Sequence, residues 1–163
     1  MNYVTIILIC ISIHCVFGEQ DNYLDSINTE YEEYLNSENY DEALELLLQV
    51  YNRDSSYVGI NARIGHLYLL MGEFTKSQDY LVIAIAEHPT DYVVYYNMSC
   101  LQFELNNLSK GFDYLEKSIQ LGFTDYDWIK QDDGFDAVRN SNQFKNLMGK
   151  YFTRLDLKGY AYF

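Results

Sequence analysis

Three stretches of the chain align without a gap and recur every 34 residues. They read NYDEALELLLQVYNRDS from Asn39, EFTKSQDYLVIAIAEHP from Glu73 and NLSKGFDYLEKSIQLGF from Asn107. A fixed period of this length marks a repeat architecture, in which each copy is one supersecondary unit that buries its apolar side against its neighbours. Equivalent positions keep their chemistry. Tyr40, Phe74 and Leu108 are large and apolar, and Ala43, Ser77 and Gly111 are small. Leu47, Leu81 and Leu115 are large again, and Val50, Ala84 and Ser118 are small or medium. Steps of three and four residues put these positions on one face of a helix. The alternation of large and small lets a second helix approach closely.

The residues upstream correspond as well. Tyr31, Gly65 and Ser99 align, then Tyr34, Tyr68 and Gln102, then Leu35, Leu69 and Phe103, with Gln102 the weakest match. Glu38, Gly72 and Asn106 fall between the two helical patterns, and Gly and Asn are natural helix stops. The unit is helix, short turn, helix, over residues 24–57, 58–91 and 92–125. The second copy, IGHLYLLMGEFTKSQDYLVIAIAEHP, carries Ile64-Gly65, Tyr68, Gly72, Phe74 and Pro89. This pattern resembles the tetratricopeptide-repeat (TPR) family. Departures from it are Ser77 and Gly111 in place of Ala, Glu30-Tyr31 in place of Leu-Gly, and Phe123 in place of Pro. The bulky Tyr31 predicts a wider crossing in the first pair. The resemblance implies an all-α fold: a right-handed α-solenoid of three TPR helix-turn-helix repeats over 19–125, plus C-terminal capping helices and a short tail over 126–163.

The end of a solenoid leaves an apolar face bare, so the terminal element must be atypical. The segment after the third copy has no 34-residue counterpart, and Trp128, Ile129, Phe135, Val138, Phe144, Leu147 and Met148 are the expected cover. Its opening, DYDWIKQDDGFDA, is dense in aspartate. An EF-hand loop needs oxygen ligands at alternating positions and then Gly. Counted from Asp125, Ile129 and Lys130 occupy a ligand position and the Gly position. These aspartates instead suit the N-termini of short helices.

The first residues read as a leader. Tyr3–Val16 is mostly apolar, too short for a span of ~20 residues, and Val16 and Gly18 suit the −3 and −1 sites of a signal peptidase. Cleavage before Glu19 is expected, giving an exported protein, periplasmic or secreted. No Lys or Arg precedes the run, which leaves open an uncut anchor or a lipidated Cys15, although His14 is a poor neighbour for lipidation. Cleavage would leave Cys100 alone; a lone thiol makes no internal disulfide and by default packs buried as a small hydrophobe.

Catalytic sets are missing from the pattern: there is no HExxH, GxSxG, phosphate loop or paired-Cys motif. No cofactor, metal or small-molecule substrate is expected, and the chain reads as non-enzymatic. Net charge is −13, and from Glu19 to Asn52 there are ten acids and no Lys or Arg. Phosphate backbones repel such a chain, so nucleic acid is excluded as a partner class. Asn97-Met98-Ser99 and Asn107-Leu108-Ser109 are glycosylation sequons, the first within a helical pattern.

The resemblance implies a concave face, lined by the first helix of each pair, that takes a peptide or partner segment. By pattern, Asp25, Asn28 and Glu32, then Ala62, His66, Leu69 and Leu70, then Tyr96, Cys100 and Phe103 point into it, the alternative for each being to pack between repeats. Acid on the first helix and apolar surface on the next two suit a basic partner with an aromatic or aliphatic anchor. Family members that clamp a C-terminal carboxylate do so with Lys, Arg and Asn, whereas this face offers Arg63 and a few Asn. It is therefore expected not to take chaperone tails of that kind. The alternative is an exported structural module that self-associates through its repeats.

Overall fold

The structure, a computed structural model, describes residues 26–55 and 57–152. The leader, Asp25 and the residues beyond 152 lie outside them. The architecture is all-α. Residues 26–36 form α1, followed by α2 (Tyr40–Arg53), α3 (Ile60–Leu70), α4 (Phe74–Glu87), α5 (Tyr92–Glu104), α6 (Leu108–Leu121), α7 (Tyr126–Gln131), a 3-10 turn (Asp133–Phe135) and α8 (Asn142–Tyr151). Two compact units divide the chain, one ending at Asp54 and the other running from Ser55. No described helix is long and apolar enough to cross a membrane.

The turns show how the 34-residue period becomes geometry. Glu38, Gly72 and Asn106 all adopt left-handed backbone, with φ of 58°, 75° and 57°. Each is flanked by the same pair of bonds. Gly72 N–H donates to Leu69 O at 3.0 Å and Glu73 N–H to Tyr68 O at 2.8 Å. Glu38 and Asn39 do the same to Leu35 and Tyr34, and Asn106 and Asn107 to Phe103 and Gln102. This is a Schellman motif, which satisfies the last carbonyls of one helix and turns the chain into the next. Gly122, with φ of 119°, ends α6 in the same way before the cap begins.

In the first unit, Ile27 and Tyr31 of α1 and Ala43, Leu46, Leu47 and Val50 of α2 are buried. In the second, α5 is the central helix and is buried on nearly every side. Its residues Val94, Met98 and Leu101 join Ala62, Leu81 and Ala84 in one apolar cluster. Its other side joins α6 and the cap in a second cluster. Helices approach closely where the repeat supplies a small residue. A Cβ on Gly65 would stand 2.8 Å from the Leu81 side chain, and one on Gly111 would run into the Phe103 ring. Polar ties fix the register: Asn61 Nδ2 donates to Glu87 Oε2 at 2.9 Å, and Ser118 Oγ to Tyr92 O at 2.9 Å. Gln102, the weak repeat match, accepts from Asn107 Nδ2 at 3.1 Å and so fastens the α5–α6 turn.

The cap is built largely as its composition predicts. Ile129, Phe135, Val138, Phe144 and Met148 are buried, and Leu147 packs on them. Trp128 departs from the expectation. It is 60% exposed, because Ile129 takes the inward position of the short α7 and turns its neighbour outward. The aspartates cap helices: Asp125 accepts from Trp128 N–H at 2.8 Å, and Asp132 from Gly134 N–H at 2.8 Å.

Candidate functional site

The inner face of the second unit is formed by α3 and α5, whose equivalent positions lie 34 residues apart: 62 and 96, 66 and 100, 69 and 103. The two helices meet different fates. On α3, Leu70 is 43% exposed and His66 and Leu69 are half-buried, while Ala62 is buried in the core. On α5, Tyr96, Cys100 and Phe103 are all buried. The expectation that Ala62, Tyr96, Cys100 and Phe103 present their side chains to a ligand is therefore corrected.

The physical reason for the three on α5 is the cap. The 3-10 turn lies against α5 and inserts Phe135, a fully buried ring that meets Tyr96 at 5.4 Å and Phe103 at 5.6 Å between centroids. Gly134 passes so close that an added Cβ would sit 3.1 Å from Cys100 Sγ. Phe123 also stacks on Tyr96, at 4.7 Å between centroids. An aromatic segment of the chain itself thus fills the part of the face where a ligand's anchor was expected. On α1, which belongs to the first unit, Glu32 is exposed and Asn28 is half-buried.

Asp132 is the electrostatic centre of this region. Tyr96 Oη donates to its Oδ2 at 2.5 Å, and Arg139 Nη2 donates to its backbone carbonyl at 2.5 Å. Burial raises the Tyr96 hydroxyl far above its ordinary value, and the neighbouring Cys100 and Asp132 add to the effect, while a bond from the Trp128 side chain opposes it. Burial likewise pushes the Cys100 thiol up, so it stays protonated and unreactive. His66 is shifted down by desolvation, against the pull of the Asp132 charge, which holds it neutral near pH 7. A protonated thiol, a neutral imidazole and a carboxylate already engaged by a phenol do not make an activated nucleophile. What the arrangement offers is a surface on α3: exposed Leu70 with half-buried Leu69 and His66. Among the described residues no group of three or more His, Cys, Asp or Glu is disposed to hold a metal ion.

Sequence reasoning placed Asp132 at a helix start but missed its bond from Tyr96. A signal was present: in DDGF, an Asx-type turn is followed by an aromatic with no counterpart in the repeats.

Comparisons with known proteins agree with this geometry. Residues 92–121, which hold α5 and α6, match the family model described as Tetratricopeptide repeat. Among solved structures, the chain is similar to one described as the first TPR of Spaghetti (RPAP3) bound to the HSP90 peptide SRMEEVD. The TM-score is 0.56 at 15% identity, over 80% of this chain and 90% of that one. Among curated protein sequences, none matches.

Proposed function

From the premise that the chain has the tetratricopeptide-repeat fold, we propose that it is a non-enzymatic protein-interaction module that binds a partner segment on its inner face. The observation that carries this reading is the open half of that face. Leu70 stays 43% exposed beside Leu69 and His66, in a fold whose solved neighbour holds a peptide. An apolar strip rimmed by polar groups is a surface that a partner can dry.

The neighbour's peptide, SRMEEVD, is acidic. This chain carries a net charge of −13. Like charges across an interface are costly, so the partner in this reading is basic with an aliphatic or aromatic anchor, not an acidic chaperone tail. The acidic stretch from Glu19 to Asn52 would steer such a partner towards the chain. The leader-like Tyr3–Val16 run, with Val16 and Gly18 at the −3 and −1 positions, supports an exported location; a mature N-terminus at Glu19 would establish it.

Photo-crosslinking in the native host tests the binding reading. A benzophenone residue placed at Leu70 is expected to capture a partner protein, and one placed at Val82, exposed on α4, is not. Capture at position 82 alone would move the interface to the outer helices. Capture of a second copy at either position would favour the self-associating module instead.

A further inference from the structure

Asn97-Met98-Ser99 and Asn107-Leu108-Ser109 are both acceptor sequences for N-linked sugar, and the structure separates them. The first lies within α5. Asn97 is 7% exposed there, and Met98 and Ser99 are fully buried. A sugar carried by Asn97 would have to be housed in close-packed interior, and α5 could not keep its place. The second sequence lies in the turn between α5 and α6, where residues 104–110 are all exposed. Asn107 immediately precedes α6, with φ of −90° and ψ of 63°. Its side chain makes no capping bond to that helix; Nδ2 donates instead to Gln102 Oε1 at 3.1 Å.

We propose that Asn107 is an N-glycosylation site and that Asn97 carries no sugar in the folded protein. The donor is an oligosaccharide joined through pyrophosphate to a membrane polyprenol. Asn107 Nδ2 bonds to the anomeric carbon as that carbon's bond to the pyrophosphate oxygen breaks. The pyrophosphate leaves with the bonding pair, Nδ2 gives up one proton, and nothing is oxidised or reduced. A primary amide has two N–H donors, so the product keeps one, and the bond to Gln102 needs only one. The turn itself rests on backbone bonds, from Asn106 N–H to Phe103 O and from Asn107 N–H to Gln102 O, which the sugar does not touch. The surroundings give the sugar a use. Leu105 and Leu108 flank Asn107 and are exposed, whereas their counterparts one repeat earlier, Met71 and Phe74, are half-buried. Apolar side chains held in water cost free energy, and a bulky hydrophilic sugar between them shields them. Transfer takes place as a chain enters the secretory route. The inference therefore rests on the exported location proposed above and narrows it to a route that holds such a donor.

The test is mass spectrometry of the full chain purified from its native host, before and after peptide N-glycosidase, which converts a sugar-bearing Asn to Asp. A single glycan is expected, with conversion at Asn107 and none at Asn97. Asn107→Gln and Ser109→Ala should each abolish the mass shift, and Ser109→Thr should keep it. Ser109 is exposed, and its replacement by Ala leaves Asn107 and the bond to Gln102 in place, so loss of the sugar in that variant would not come from misfolding. A chain that begins at Glu19 with Asn107 unmodified would overturn the site and leave export standing. A chain that keeps residues 1–18 and carries no sugar would remove export and the site together. Sugar on Asn107 of a chain that keeps residues 1–18 would support the site and make the leader an anchor. Sugar on Asn97 of a protein that still melts cooperatively would overturn the separation of the two sequences by burial.

Discussion

His66 and Cys100 hold the same position in successive repeats, as do Ala62 and Tyr96, or Leu69 and Phe103. Of the α3 copies, Ala62 is buried while His66 and Leu69 stay half-buried beside exposed Leu70, whereas the α5 copies are sealed under the cap that carries Phe135. The helices are alike in length and their turns share one hydrogen-bond pattern. What differs is the neighbour. Repeat position decides which side of a helix a residue takes, and the next element in space decides whether that side meets water. An inner face in a short array is therefore only as long as its cap allows.

Removing the seal gives the largest expected effect. Phe135 is fully buried among Tyr96, Phe103 and Phe144, so Phe135→Ala should cost ~3–5 kcal/mol in the second unit's unfolding by urea. Leu70→Ala, in the open half, should cost less than about 1 kcal/mol. Equal losses at the two positions would mean that the halves do not differ as described. The close helix approaches offer a second, smaller contrast. Gly111→Ala drives a methyl into Phe103, whose ring is already held by Phe112 and Phe135; overpacking of this kind costs ~1–3 kcal/mol. Gly65→Ala meets Leu81 Cγ at 2.8 Å, a longer approach than at Gly111, and both substitutions gain helix propensity alike, so its melting temperature should fall less.

Much of this was legible in the chain because the period is strict. Ala43, Ser77 and Gly111 announce where helices touch, and all three are buried. Glu38, Gly72 and Asn106 announce the turns. The cap's apolar residues could be picked out as a set because they have no repeat partner. Where the cap lands could not be read, since Phe135 contacts α5 across more than thirty residues of sequence and no periodicity encodes that pairing. Tyr96, Cys100 and Phe103 therefore read as groove positions when they are core, although the lone Cys100 also read as a buried thiol and Phe103 as a packed position, and Trp128 reads as core when it is exposed. The turn series also exposes a local mismatch. Glu38 takes the left-handed conformation that Gly72 adopts without strain, so Glu38→Gly should stabilise the first unit by about 0.5–1 kcal/mol. Slower amide exchange in α1 and α2 would show it, and unchanged exchange would mean that the turn relaxes at no cost.

The smallest effect expected is at the other attachment of the cap, where α8 meets α6. Glu116 accepts from Lys150 at 2.5 Å and from Tyr151 at 2.8 Å, and Tyr151 Oη accepts from Gln120 at 3.0 Å. These bonds, that from Lys150 first, hold the Glu116 carboxyl below its usual value. A carboxylate whose pKa is lowered by folding contributes stability that is full above its unfolded-state value and is lost as pH falls through the folded one. Glu116→Gln should therefore lower the melting temperature slightly at pH 7, and the gap to wild type should close as the pH drops below about 4. Solvent screens this tie, with Lys150 61% exposed, so the gap should also narrow in salt. A gap that persists at low pH would mean that Glu116 acts by packing and not by charge. A gap approaching that of Phe135→Ala would mean that the cap is held on by its rim and not by the ring it buries.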